Sequence, residues 1–337
     1  MIISRTPLRM SFAGGGSDLP AYYRQFGGAV VSSAIDQYVY VNVNQKFDEG
    51  IRIAYSKNEE VALVKEIAHP LVRNALEFLQ IPGGVEITTI ADIPSSGTGL
   101  GSSSSFTVGL LHALHEYRSK VVNAQTLAQE ACHIEMDLCQ EPIGKQDQYA
   151  AAFGGFNFIE FHPDQSVSVS PIACNAQTLQ SLQDNLLVFY TGKTRSASAL
   201  LQEQSEEMVR SEQKRNTMHA MVQLAKDLKR ELELNRLDAM GEILHTGWML
   251  KKSLVSAISA SEIDHWYETG MTAGAQGGKI LGAGAGGFLL FYAPKERHGT
   301  ICAALPGLKP VPMAFDRLGS QIIFNEKIAP KGISMHP

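Results

Sequence analysis

Three glycine-rich segments hold the residues of this chain best placed to do chemistry. The longest, PSSGTGLGSSSS (94–105), has three glycines (Gly97, Gly99, Gly101), six serines and no lysine. Gly/Ser runs usually act as flexible linkers. This one instead separates VEITTIADI (85–93), an alternating strand pattern, from the apolar, helix-like FTVGLLHALHEY (106–117). A loop entering a helix offers an anion free N–H groups and the positive end of the helix dipole. Glycines let the backbone approach a ligand and adopt positive φ, and serine hydroxyls add donors and oxygen ligands for Mg²⁺. No Gly-Lys-[Ser/Thr] follows, so this is not a Walker A loop, and the glycine spacing differs from the dinucleotide-binding fingerprint. Taken alone, the segment suits a capped turn equally well. FAGGGSD (12–18) follows the first strand, and LGAGAGGF (281–288) separates two apolar runs. Three such clusters, each abutting regular structure, predict backbone loops converging on a phosphate-rich ligand. Three unrelated turns are the alternative.

Charged residues near these segments each carry two readings. Arg5 and Arg9 fall on one face of an extended segment, facing an anion or carboxylates across the sheet. Asp18 closes an Asx turn or binds hydroxyls. Asp147, after the PIGK turn (142–145), caps a helix or works on a substrate hydroxyl. Glu135 falls roughly 60° from the centre of the Leu127/Ala131/Ile134/Leu138 stripe at helical spacing. That places it at a buried border, where it needs a partner such as Mg²⁺, or in a surface ion pair. Lys193 and Arg195 precede a long helical stretch and either hold a phosphate or form a solvated basic loop.

These residues need a frame. IISRTPLRMSF is extended, with Pro7 marking an edge or a bulge. YVYVNVN (38–44) alternates, with Val39, Val41 and Val43 on the buried face. Strands are expected at 51–55, 85–93, 156–161 and 186–190, and helices over 59–80, 106–117 and 123–140. Residues 196–258 are strongly helical, with an apolar stripe of Met218, Met221, Val222, Ala225, Leu228 and Leu232. Another helix opens at Ser261. A strand-rich half followed by a helix-rich half predicts an α+β fold with a boundary near 185.

Length and composition fit this frame. The chain has 337 residues, 44% hydrophobic and 19% charged, with net charge -5. Such a balance builds a globular core and argues against nucleic acid or an anionic membrane as partner. Four cysteines without C-x-x-C spacing predict neither a metal framework nor disulfides and fit a reducing cytoplasm. MIISRTPLRM lacks the apolar core of a signal peptide, and no apolar run reaches membrane-spanning length.

With the three segments in hand, the chain resembles the GHMP small-molecule kinases. TPLRMSFAGGGSDLP resembles the family's first motif, PSSGTGLGSSSS its nucleotide-phosphate motif and KILGAGAGGFLL its third. The resemblance implies a two-domain α+β fold. Residues 1–185 would form an ATP-binding domain similar to a ribosomal S5 second domain, and 186–337 a ferredoxin-like domain closing the cleft. It implies that Pro94, Ser96, Gly97, Gly99, Leu100, Gly101, Ser102, Ser103 and Ser104 hold ATP. Ser103 and Glu135 would meet Mg²⁺, with Glu130 an alternative to Glu135. Asp147 would be the catalytic carboxylate and Arg9 the cation beside the transferred phosphoryl group. Gly15, Gly16, Ser17, Asp18, Lys145, Gly192, Lys193, Arg195, Gly284 and Gly286 would face the sugar.

RTPLRMSFAGGGSDLPAYY, GKQDQYAAAFGGF and YTGKTRSAS are similar to a narrower group, bacterial kinases acting on O1 of D-glycero-D-manno-heptose 7-phosphate. That likeness implies a cytoplasmic, ATP- and Mg²⁺-dependent enzyme making the 1,7-bisphosphate for GDP-heptose and surface polysaccharides such as capsule. Its partners would be a sugar phosphate and ATP, and a homodimer is left open. The alternatives are a family kinase for a free fucose- or galactose-like sugar or an isoprenoid alcohol, and a non-catalytic sugar or nucleotide sensor on the same fold.

Overall fold

A computed structural model describes residues 1–94, 97–193 and 197–326. The first half is β1 (Ile2–Ala13), α1 (Pro20–Phe26), β2 (Gly28–Gln45), β3 (Ile51–Ala54), β4 (Asn58–Val61), α2 (Pro70–Phe78), β5 (Val85–Ala91), α3 (Ser102–Tyr117), α4 (Ala124–Cys132), α5 (Gln146–Phe153), β6 (Phe156–Phe161) and β7 (Val167–Pro171). The remainder is α6 (Ala176–Asp184), β8 (Leu186–Tyr190), α7 (Ala197–Arg210), α8 (Glu212–Glu233), α9 (Met240–Leu254), α10 (Ser261–Thr272), β9 (Gly277–Ile280), β10 (Phe288–Tyr292), α11 (His298–Ala304), β11 (Lys309–Pro310) and β12 (Gln321–Asn325).

The fold is α+β, built on two sheets. The larger runs β12-β1-β2-β5-β3-β4, with β6 on the first half of β2 and β7 beyond it. Val39, Val41 and Val43 are buried, as their alternation predicts. The register of β1 against β2 shifts between Pro7 and Leu8, so Pro7 sits at a bulge. The smaller sheet is fully antiparallel, in the order β11-β8-β10-β9. Helices connect β8 to β9 and β10 to β11, which is the ferredoxin-like pattern. α8 buries its predicted apolar stripe and packs on β1 and β2, while α9 packs on β9 and β1. The last strand, β12, returns to pair with β1.

Three local expectations are corrected. The helix expected over 59–80 is strand β4, a short 3-10 turn and α2. Pro70 takes the first helical position of α2, because a ring-locked φ and a missing N–H are tolerated only there. The helix expected over 123–140 is α-helical only to Cys132 and continues as a π turn over His133–Leu138. A π turn takes more residues per turn than an α-helix and so rotates the side chains beyond it. Glu135 is therefore fully buried rather than at a border, and Leu138, expected inside, is 42% exposed. α3 begins within the serines, at Ser102, earlier than Phe106. Among the described residues all four cysteines are free, and no helix is long and apolar enough to cross a membrane.

Candidate active site

A cavity of about 750 Å³ opens where the glycine loops meet. Gly16 and Asp18 from the first loop, Gly97, Thr98, Gly99, Gly101 and Ser102–Ser104 from the second, and Gly282 and Ala283 from the third all line it. The loops touch each other. A Cβ at Gly99 would collide with the Leu281 carbonyl, and one at Gly287 with the Thr98 carbonyl. Gly99 also holds φ +78°, a conformation that favours glycine.

The second loop ends in Gly101, whose left-handed backbone starts α3 with no side-chain cap. The first-turn N–H groups of α3 thus remain available at the cavity, with the helix dipole behind them. Ser103 Oγ donates to Glu135 Oε1 at 2.9 Å, and Gln148 Nε2 donates to Oε2 at 2.6 Å. Burial pushes the Glu135 carboxyl up to about 7, against hydrogen bonds from Gln148, Ser104 and Ser103 that favour its charged form. Glu130 instead pairs with buried His115 at 2.5 Å and does not line the cavity.

Across the cavity floor, Arg9 clasps Asp147. Its Nε donates to Oδ1 at 2.7 Å and Nη2 to Oδ2 at 2.8 Å, while Nη1 reaches the Gly99 carbonyl at 2.6 Å. Both line the cavity, and the carboxylate is the more exposed member, Asp147 at 24% against 3% for Arg9. Asp147 lies in the first turn of α5, the position where an acid complements the dipole. Asp18 accepts from Gly16 N at 2.9 Å and from Gln146 N at 3.2 Å. Burial, then the nearby Asp147 charge, raises its pKa above the usual carboxylate value. Gly144 makes room for it, since a Cβ there would strike the Asp18 carboxylate.

A family model, "GHMP kinases N terminal domain", matches residues 62–155. A D-glycero-alpha-D-manno-heptose 7-phosphate kinase of Campylobacter jejuni is 30% identical, over 90% of this chain and 92% of that protein. The chain belongs to the GHMP kinases. A crystal structure described as a D-glycero-D-manno-heptose 1-phosphate kinase from Bacteroides thetaiotaomicron superimposes with a TM-score of 0.79 at 27% identity. It covers 97% of this chain and 100% of its own. A putative sugar kinase from Campylobacter jejuni gives 0.75 at 28% identity, covering 95% and 97%.

Within this GHMP kinase, other residues marked from sequence stay outside the cavity lining. Lys145 donates to the Gln165 carbonyl at 2.9 Å and lies over the Tyr23 ring. Lys193 pairs with Glu262 and sits over Trp266. The Ser17 hydroxyl bridges to the Ala29 backbone, and Leu100 points into the core. Pro94, Gly15, Gly192, Gly284 and Gly286 are not on the lining either. A Cβ at Gly284 would meet Ile258 and one at Gly286 would meet Lys193, which makes them packing glycines. Arg5 lies over Tyr38. Ser96 and Arg195 fall outside the described residues.

Sequence reasoning missed Lys251 of α9, which is buried and lines the cavity. It also missed an apolar wall of Val39, Tyr55, His69, Leu71, Ile93 and Phe106. Lys251 looks like one of a surface pair with Lys252, and only the packing of α9 on β9 separates them. The wall comes from six elements or loops with no shared motif.

Proposed function

We propose that this GHMP kinase transfers the γ-phosphoryl group of ATP to O1 of D-glycero-D-manno-heptose 7-phosphate, forming the 1,7-bisphosphate. One observation carries the reading. The Arg9–Asp147 clasp stands at the junction of the second and third glycine loops, facing the uncapped start of α3. Phosphoryl transfer requires charge neutralisation on the donor and a placed carboxylate at the acceptor, and this junction supplies both. The triphosphate lies along the 97–104 loop, and the apolar wall takes the base. Asp18 and Gly16 bind sugar hydroxyls. Asp147 accepts the O1–H hydrogen bond and takes the proton as O1 bonds to Pγ. The bond from Pγ to the β–γ bridging oxygen breaks, and its electron pair leaves with ADP.

A divalent cation fits the donor set present. The Ser103 hydroxyl and the buried Glu135 carboxylate are hard oxygen donors held together beside the phosphate loop. Mg²⁺ bound there would neutralise charge on the triphosphate. We also propose that 1–185 and 186–337 form the two sides of the cleft, with β12 crossing back to the first.

The heptose phosphate comes from the names of the relatives, which agree on a manno-heptose phosphate and differ on where its phosphate sits. A free-sugar acceptor is favoured by one feature, since Lys193 is tied to Glu262 outside the cavity. An ADP-release assay over heptose 7-phosphate, free heptose, fucose, galactose and mevalonate separates these readings. The 7-phosphate is expected to turn over fastest. Preference for a free sugar would overturn the acceptor, and no release with any substrate would leave a sensor.

A further inference from the structure

Lys251 stands in the last turn of α9, 4% exposed, with its ammonium on the cavity wall. One of its three N–H donors goes to the Gly282 carbonyl at 2.6 Å. Among the described residues it forms no ion pair, whereas its neighbour Lys252 reaches Asp264. The nearest carboxylates are already engaged. Asp147 gives both oxygens to Arg9, and Asp18 accepts from the Gly16 and Gln146 amides. A buried ammonium with donors to spare is unfavourable unless an anion arrives.

Its tether indicates where that anion sits. Lys251 is held by the carbonyl of Gly282, and Arg9 by the carbonyl of Gly99. Those two glycines are in direct backbone contact, and a Cβ on Gly282 would strike Gly99. Two cations are thus anchored to two touching glycines, one from each side of the loop junction. The charged groups facing Lys251 are Asp18 and Arg9 from the first strand and loop, Asp147 from α5, and Lys279 from β9. Lys279 is occupied, donating to the Ser11 and Phe12 carbonyls at 2.8 and 3.2 Å.

We propose that Lys251, tethered to the third glycine loop, is a second catalytic cation that grips a non-bridging oxygen of the transferred phosphoryl group. Arg9, tethered to the second, grips it with the N–H groups it does not give to Asp147 and Gly99. The inference rests on the kinase reading above. Two cations on that oxygen set neutralise charge that builds during transfer, and a fixed donor there acts mainly on the transition state. ADP lacks the group and should not depend on Lys251.

The test compares wild type, K251M and K251R by steady-state kinetics, ADP titration and pH–rate profiles. K251M is expected to lose about 100-fold in kcat, with ADP affinity held within about threefold. K251R should recover at least about tenfold of that loss, because a guanidinium keeps the charge. Burial lowers the Lys251 pKa to about 8, so wild-type kcat/KM for ATP should fall as pH rises through about 8. K251R should lack that basic limb. If K251M fails to fold, the comparison of wild type with K251R decides, since only K251R should lose a basic limb that belongs to Lys251. A K251M kcat within about threefold of wild type would refute the role, as would a wild-type profile flat to pH 9.5 or equal losses in kcat and ADP affinity. Wild type that phosphorylates no sugar would instead remove the kinase reading, and the inference with it.

Discussion

At the residue scale, the site rests on how few charged groups are left to act. Arg9 carries no acceptor and Asp147 is the more exposed member of the pair, so Asp147 is the group that can take a hydroxyl hydrogen bond. Asp147→Asn should lower kcat by at least about 1000-fold while leaving nucleotide affinity within about threefold, read by single-turnover kinetics and ADP titration. Retention of a tenth of wild-type kcat would remove Asp147 from the reaction. Glu135 gives a pH prediction. Its folded pKa, about 7, lies above the unfolded value of 4.5. The stability it contributes is full below 4.5 and is lost as pH rises through 7. That linkage is worth roughly 3 kcal/mol. In EDTA, wild type should therefore lose about that much more stability than Glu135→Gln between pH 4.5 and 8, measured by urea unfolding. Parallel pH curves would contradict it. Arg9, Asp147, Asp18 and Ser103 were legible as cavity-lining positions because each sits inside or beside a motif. Glu135 was named with Ser103 only through the family resemblance, and helical spacing alone left it at a border. Lys145 and Lys193 were misleading for a physical reason. A flexible four-carbon stem lets the ammonium leave the segment that carries it, here for Gln165 and Glu262.

At the element scale, glycine position separates loops that pack from loops that merely turn. Gly99 and Gly192 both hold positive φ, but a Cβ at Gly192 meets nothing within 4 Å, while at Gly99 it would hit the third loop. Gly192→Ala should cost about 1 kcal/mol from backbone strain alone. Gly99→Ala should cost at least twice that and raise KM for ATP about tenfold, because the junction must open. Equal costs in thermal and urea unfolding would show that the loops do not bear on each other. Strand periodicity read well here, since alternation in β2 and the run in β10 survive tertiary packing. The π turn did not. Nothing in local composition distinguishes His133–Leu138 from α-helix, and its register is set by burying Glu135 against Ser103 and Gln148.

At the scale of the whole molecule, the cavity joins walls from both ends of the chain. Gly16 and Asp147 come from the first half, and Lys251, Gly282 and Ala283 from the second. The return of β12 to β1 and the packing of Phe315 on Phe12 and Phe156 close that circuit. Phe315→Ala should cost about 2 kcal/mol, less than a fully buried phenylalanine because Phe315 is only half-buried. Its effect on kcat should be less than threefold by this account, since Phe315 is not on the cavity lining. The α+β class was legible from the order of strand-rich and helix-rich stretches. The return of β12 was not, because a short strand near the end of a chain carries no mark of its distant partner. The most direct test of the account is ³¹P NMR of the product made from ATP and D-glycero-D-manno-heptose 7-phosphate. The account predicts a new phosphate ester on the anomeric carbon beside the retained 7-phosphate, with one ADP formed per product. A phosphate on any other position, or ATP left unchanged, would contradict it.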